Sequence, residues 1–440
     1  MPEEEVFSPF AKIEVETAKI NTRFVHLRFC SNNKYWARLG ADRNDIWIVA
    51  KADQPEEDMS KWSCTLFEPT LGNDGFLYFR HVQTGKRVRT NGVGSWDITS
   101  RVYVDYSDNG DSTPWYAFTF VDWDTLVIMP KYVTFKGYND KYLRAGWIER
   151  HEYHQFSSDD GNKEETGYEV IMNPDGRLRI KSKFFNKFWR RSPNWIWADS
   201  TDTTSNNIDT LFWPVKVNDN TIALATRNAG NNRFCSSLTT EGKIDCLNAA
   251  VSTITTPARL QVEELVFERQ INNVIFRMED ARIFDERAVV AGIGSGVNDS
   301  PHESLIRVTV SFEDTSSYTF SNSLSIMAGV TTSIQTGFAR IVEGKIEVTA
   351  EVTTSLEWNR TTTETRKAEA TYQAVVPPMT RVTIDYVATQ GTCNVPFSYT
   401  QRDKLSHDGS SLTTQRLTVH TLVSITTAST FGKLTSKLIR

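Results

Sequence analysis

Between Ser323 and Trp358 apolar and polar residues alternate in two limbs joined by a short turn. In the first limb Leu324, Ile326, Ala328, Val330, Ile334 and Phe338 hold even positions, with Ser323, Ser325, Thr331, Ser333 and Gln335 at odd ones. In the second, Ile346, Val348, Val352, Leu356 and Trp358 are even, and Lys345, Glu347, Glu351 and Glu357 are odd. Successive strand residues face opposite sides, so each limb predicts a strand with one apolar and one polar face. Pairing Phe338 with Ile346 across a turn at 339–345 sets even residues opposite even ones. Such a hairpin suits a lid on a soluble core or a strand pair lining a water-filled barrel in lipid, where about 9–11 tilted residues cross the hydrocarbon. The apolar face is thin, with Ala328, Thr332 and Thr336 among its larger residues. Ile341 and Val342 also stand in the turn, where a solvated tip is polar. Both features favour the membrane setting.

Elsewhere helical periodicity is nearly absent. Short alternating or aromatic runs, separated by Asn, Gly, Asp and Pro clusters, predict an all-β chain. The aromatics are uneven: among the tryptophans only Trp358 lies beyond residue 213, and the C-terminal part is rich in Ser, Thr and Val instead. The first part repeats itself. Asn139-Asp140-Lys141-Tyr142-Leu143 recurs as Asn186-Lys187-Phe188-Trp189 and as Asn231-Asn232-Arg233-Phe234, with the basic residue stepping by 46 residues each time. Three equal β units predict a β-trefoil, in which the Asn turns a hairpin, the hydrophobic residue packs inward and the basic residue stays out. Asn32-Asn33-Lys34-Tyr35-Trp36 starts a second set, and Gly85-Lys86-Arg87-Val88 is a weaker copy. Ala11 to Val15 matches only the end of a unit, so the first trefoil is expected to lack its opening hairpin. The expected domains are 1–129, 130–268 and 269–440, with the alternating hairpin at 323–358.

Composition narrows the choice of function. Of 440 residues 39% are hydrophobic and 23% charged, the balance of a soluble globular protein. A net charge of −5 argues against nucleic acid as the partner. No apolar run approaches 18 residues, so no helical membrane span is expected. The acidic start, Met1 to Glu5, lacks the pattern of a secretory signal, which predicts a cytoplasmic or nucleocytoplasmic protein. Five scattered cysteines without metal spacing predict reduced thiols. Seven scattered histidines give no zinc motif, since His151-Glu152-Tyr153-His154 is not a zincin spacing. Asp159-Asp160 reads as a solvated turn, and Gly292-Ile293-Gly294-Ser295-Gly296 lacks the lysine of a phosphate loop. The reading is therefore a non-enzyme with no metal and no cofactor.

The dense run Ile180-Lys181-Ser182, with Phe188-Trp189-Arg190-Arg191-Ser192-Pro193-Asn194-Trp195-Ile196-Trp197-Ala198-Asp199-Ser200, carries a family resemblance. So do Arg227 to Cys235 and Cys246-Leu247-Asn248-Ala249-Ala250. Residues 1–266 resemble a tandem pair of amaranthin-type agglutinin domains, plant lectins with the β-trefoil fold. Residues 274–440 resemble the aerolysin-like pore-forming module. Val375-Val376-Pro377-Pro378-Met379-Thr380 looks like that module's recurrent turn, and the 323–358 hairpin falls where its inserting loop belongs. The runs from Leu305 to Val310 and from Val382 to Val387 stand for its scaffold strands. The expected architecture is two β-trefoils, the first incomplete, followed by an elongated β-sheet domain.

Amaranthin-type lectins bind the T-antigen disaccharide, galactose β1,3-linked to N-acetylgalactosamine, between domains of two subunits. By this resemblance the first domain's sugar residues are Asn44, Asp45 and Trp47, with Ile46 between them. An indole face stacks on the apolar side of galactose while Asn and Asp fix hydroxyl geometry. This loop departs from the family's usual Ser-Pro-Asn-aromatic run. Asn194 and Trp195 are the matching residues of the second domain. The expected partners are galactose- or N-acetylgalactosamine-bearing glycans, a target membrane and further copies of the chain. The lipid-facing set is Leu324, Ile326, Val330, Ile334, Phe338, Ile346, Val348, Val352 and Leu356, and Glu347 and Glu351 face the lumen. The leading expectation is a glycan-directed pore former in plant defence. The alternative is a cytosolic stress-response lectin whose third domain serves only oligomerisation.

Overall fold

The computed structural model describes every residue except 1–5, 7–10, 43, 91–101, 107–113, 203, 205–206, 229–230, 322–329, 331, 343–344, 351, 357, 359, 406–410, 414–423 and 440. The described residues form strands and short 3-10 turns without an α-helix, in accord with the alternation and turn clusters of the sequence. The strands pair into an eight-stranded sheet, a twelve-stranded sheet, a nine-stranded sheet and a two-stranded ribbon. The chain divides into two compact units. One holds residues 1–269, 323–331 and 402–414, and the other holds 270–322, 332–401 and 415–440.

The twelve-stranded sheet is a complete β-trefoil. Tyr132–Lys136 pairs with both Tyr168–Met172 and Leu260–Glu264, and Tyr168–Met172 pairs with Leu178–Ser182. Leu178 bridges to Phe212 at the start of Trp213–Asn218, which pairs with Thr221–Asn228. Thr221–Asn228 in turn reaches Leu260–Glu264 and closes the ring. Three hairpins cap it, meeting at Tyr153 opposite Trp197, Trp195 opposite Asn248 and Gln155 opposite Cys246. Closure leaves no open edge in the ring, and its inward side chains, among them Phe135, Leu143, Tyr168, Ile180, Trp189 and Phe212, are fully buried.

The repeated Asn motif is the hinge of each hairpin. Asn139 Oδ1 accepts the N–H of Lys141 at 3.2 Å, and its Nδ2 donates to the Phe156 carbonyl at 3.2 Å. Asp140 takes the left-handed conformation at φ 61°, one that short polar side chains tolerate. Lys141 then points outward to Asp159. Residues 32–34 repeat the arrangement: Asn32 Oδ1 accepts from Lys34 N–H, Asn32 Nδ2 reaches the Ala50 carbonyl, Asn33 has φ 53°, and Lys34 meets Asp53. In the copy one period on, Asn186 itself takes the left-handed conformation at φ 56° ahead of Lys187, as Asp140 does ahead of Lys141, so these two copies share a left-handed turn residue before the basic one.

The eight-stranded sheet carries two such hairpins, Lys34–Arg38 with Trp47–Ala52 and Lys86–Thr90 with Val102–Asp105. Val25–Phe29 pairs with Phe67–Leu71, as the barrel strands of a trefoil do. In place of a first unit the described residues offer one strand, Ile13–Thr17, which lies on Val25–Phe29. The core forms around Trp36, whose ring meets Phe29, Phe67, Phe79 and Phe118 at 5.7–6.5 Å. Among the described residues, two hairpin units of a trefoil are thus present in this sheet.

The strands of the second unit are far longer. Ser304–Ser321 and Thr361–Val376 run antiparallel from Ser304 opposite Val376 to Thr319 opposite Thr361. Arg282–Asn298 pairs with Thr380–Leu405, whose other neighbour is Ser424–Ile439. Gly292, Gly294 and Gly296 lie within Arg282–Asn298, where a Cβ on any of them would press within 3 Å of Val310, Val308 or Ile306. Their alternation is therefore a demand for close approach. Val308, Val310, Val376, Val382 and Ile384 form the local core, with Phe312 stacked on Tyr386 at 4.0 Å.

The alternating hairpin forms with a different register from the expected one. Thr332 pairs with Leu356, Ile334 with Thr354 and Thr336 with Val352, so even residues do meet even ones. Beyond Gly337 the register changes: Ala339 pairs with Val348, Ile341 with Ile346 and Val342 with Lys345. Phe338 does not face Ile346, and the paired strands extend to Val342 and Lys345. The shift is made at Thr349, whose Oγ1 accepts the Phe338 N–H and whose own N–H donates to the Phe338 carbonyl, both at 3.0 Å. A side chain at Gly337 would collide with the Thr349 carbonyl. Ile341 and Val342 are strand residues, which explains their apolar character.

Candidate glycan and hairpin sites

The first-domain loop projects from the hairpin Lys34–Arg38/Trp47–Ala52. Asp42 organises it: its Oδ1 accepts the Asn44 N–H at 2.9 Å and its carbonyl accepts the Asp45 N–H at 3.0 Å. From below, the buried Arg38 donates Nη2 to the Asp42 carbonyl at 2.7 Å. Asp45 packs so closely on Gly40 that a Cβ there would meet its carboxylate. These contacts leave Asn44 exposed and Asp45 half-buried. Trp47 opens the return strand, half-buried, with its ring 5.5 Å from Tyr103 at 70°. Arg89 lies 5.4 Å from the Tyr103 ring and donates to Asp105 at 3.0 Å. The loop thus gathers an amide, a carboxylate and an indole bordered by a second aromatic ring, the ingredients of sugar recognition. Tyr103 and Arg89 escape a reading of the sequence because they arrive from another hairpin.

The second-domain pair sits differently. Asn194 is exposed at the turn, and its carbonyl accepts the Ala249 N–H at 2.7 Å. Trp195 is only 8% exposed and packs against Tyr153 and Cys246 beneath the three hairpins. Trp197 is half-exposed, with His151 stacked on it at 4.2 Å. The Asn44–Trp47 and Asn194–Trp195 loops belong to separate sheets, each built within its own.

In the hairpin, Ile334 is fully buried in a cluster with Ile271, Phe320, Ala339, Ile341, Val395 and Phe397. Phe338 stacks on Tyr318 at 4.6 Å and 13°, and Ile346 is half-buried. Val330 is half-buried and Val348 is 39% exposed. Val352 and Leu356 lie on the paired strand. Gln335, Lys345 and Glu347 face outward. Leu324, Ile326 and Glu351 lie outside the described residues. Ile334 and Ile341 thus rest on a protein core, each gaining about 1.5–3 kcal/mol from burial.

Titration follows burial. Desolvation lowers His154 to about 3 and His81 to about 4, and it pushes the Cys235 and Cys246 thiols up to about 12 and about 11. The five cysteines are buried and unbridged. Among the described residues no group of three or more His, Cys, Asp or Glu is placed to hold a metal ion. Asp159 is engaged with Lys141, and Asp160 Oδ1 accepts the Asn162 N–H at 2.9 Å, so the two serve the turn. Arg269, to the sequence a polar boundary residue, is 5% exposed and clamped by two carboxylates. It donates to Asp403 at 2.9 and 3.0 Å and to Glu264 at 2.7 and 3.2 Å.

Comparison with solved structures returns distant likenesses. A lamprey immune protein is 12% identical, covering 73% of this chain and 94% of its own at a TM-score of 0.32. An aerolysin-like protein of Bombina maxima is 12% identical over 40% of this chain and all of its own, at 0.27. The parasporin-2 toxin of Bacillus thuringiensis is 14% identical over 48% and 86%, at 0.23. Scores this low carry no structural inference. No curated protein matches the chain in sequence. The agglutinin domain family model, in contrast, matches residues 2–113 and 127–265, the stretches that contain both trefoil sheets and both candidate loops. With more than half of its length matched, and with the hairpin units of a trefoil in both segments, the chain belongs to the agglutinin domain family, the amaranthin-type lectins.

Proposed function

We propose that this protein is a glycan-directed pore former. Its agglutinin domains dock on galactose- or N-acetylgalactosamine-bearing surfaces, copies of the chain assemble there, and the C-terminal unit releases its hairpin into the bilayer. The observation that carries the reading is the hairpin, a strand pair with one apolar face, in a chain that also bears paired lectin domains. Such a face exchanges a protein core for lipid without a change of sequence, and strands can cross a bilayer only as a closed barrel. Before assembly the protein resides in the cytoplasm or nucleocytoplasm, and its role is defensive, against cells that display the glycan. Dye release from vesicles with and without a galactose-terminated glycolipid tests this: release is expected only with the glycolipid. Truncating Trp47 to Ala removes a stacking face and should weaken glycan binding at the first-domain site about ten- to a hundred-fold, read by titration. Unchanged affinity would move the first-domain site away from Asn44 and Trp47.

The burial of Ile334, Ala339 and Ile341 favours a second reading, a lectin that keeps its hairpin docked and uses the C-terminal unit for oligomerisation alone. Glycan binding and assembly without dye release would select it.

A further inference from the structure

The complete trefoil carries an aromatic corner that neither candidate loop includes. Trp147, near the end of the strand Tyr142–Ile148, is 63% exposed, and Phe184, in the turn before Lys187–Ser192, is 42% exposed. The ring of Phe185 joins them, 5.3 Å from Trp147 at 82° and 4.9 Å from Phe184. Phe185 is half-buried and rests on the barrel core, so the corner has a fixed base. Directly across the hairpin from Trp147 stands Glu152. Opposed residues of an antiparallel pair share one face, with Cβ atoms about 4.5–5.5 Å apart, which sets this carboxylate beside the indole. Glu152 is 7% exposed. Its Oε1 accepts the Lys187 ammonium at 2.6 Å, while Oε2 has no hydrogen-bond partner among the described residues.

We propose that Trp147, Phe184 and Phe185, with the Glu152–Lys187 pair, form a sugar-contact site of the second agglutinin domain. It takes a hexopyranose of the galactose class. An axial O4 gathers the C–H groups of such a ring on one face, which stacks on the indole while Phe185 closes the side. The hydroxyl edge then meets one acceptor, Glu152 Oε2, and one donor, the ammonium of Lys187. A rigid apolar wall with a few convergent polar groups is how small-ligand sites fix orientation. A bilayer would also take the three rings, but a carboxylate with an open oxygen beside them opposes entry into hydrocarbon.

The inference rests on the lectin reading, and titration of the full chain with galactose and N-acetylgalactosamine separates the two. In a Trp47→Ala background, binding is expected to persist, and adding Trp147→Ala should weaken that remainder about ten- to a hundred-fold. Phe184→Ala should weaken it less. Both residues are exposed, so neither variant should shift the melting temperature. Glu152→Gln keeps the shape, and it too should lower affinity. Sugar binding abolished by Trp47→Ala alone, or indifferent to Trp147→Ala, overturns this site and leaves the lectin reading standing. A wild-type protein that binds neither sugar overturns both. If Trp147→Ala keeps sugar binding but loses adhesion to phosphatidylcholine vesicles free of glycolipid, the corner is a lipid-contact surface and the proposal fails.

Discussion

The complete trefoil and the alternating hairpin are both built of short strands, yet they treat apolar side chains in opposite ways. In the trefoil, Phe135, Trp189, Ile196 and their neighbours point into a ring with no edge, so each has one place to go. In the hairpin, Ile334 and Ile341 lie on the core of their own unit, but the face that holds them is one side of a ribbon. Closure fixes a single environment for a side chain. Alternation only requires that some apolar medium cover one face, and protein core and lipid both qualify. Under the proposed function, the ring is the part that stays fixed and the ribbon the part that changes partners.

The heaviest expected effect falls on the first unit. Replacing Arg269 with Gln strands two buried carboxylates, and the loss of stability should be about 3–5 kcal/mol in urea unfolding. A change below 1 kcal/mol would mean that Glu264 and Asp403 are solvated rather than clamped. Next comes parity in the hairpin. Lysine at Val352 should cost the inserted state roughly 2–4 kcal/mol, while lysine at Thr353 should be tolerated. Equal loss of dye release from both variants would remove the basis for calling the ribbon two-faced.

Acid should separate the units more gently. Unfolding frees His81 and His154 to protonate near pH 6.5, whereas burial holds them neutral down to about 4 and about 3. The unfolded chain therefore binds more protons as pH falls below 6.5, and the stability these groups lend above that pH is lost. By pH 5 each should cost about 2 kcal/mol. Both histidines belong to the first unit, so the acid loss is expected there. A melting temperature of the residue 1–269 unit that is flat from pH 7 to 5 would refute the assignment. The smallest effect concerns ions: Glu347 and Glu351 should make any pore favour cations. Reversal potentials under a salt gradient that do not move when both become Gln would exclude them from the lumen.

The trefoil was legible because its evidence is local. A tight turn with a left-handed residue before a basic one needs only residues a few positions apart, so its recurrence at Lys141 and Lys187 survives as plain text. The candidate loops were half legible. Asn44, Asp45 and Trp47 stand together in sequence, but Tyr103 and Arg89, which border them, do not. Trp195 reads the same as an exposed stacking residue or as packing, and only the convergence of three hairpins places it under Tyr153 and Cys246.

By itself, then, the sequence determined what depends on period and short spacing: all-β structure, tandem trefoil domains, and an alternating hairpin whose described strands pair from Thr332 with Leu356 inward. Tertiary structure decided the hairpin's register, because Gly337 and Thr349 trade one residue of offset and turn Ile341 inward. It decided that Ile334 and Ile341 lie on a core, and that the glycines at 292, 294 and 296 serve close strand approach. It also brought Arg269 to Asp403 across 134 residues. Pairing over such distances depends on which strands finally become neighbours, and a one-residue shift exchanges every inward side chain for an outward one.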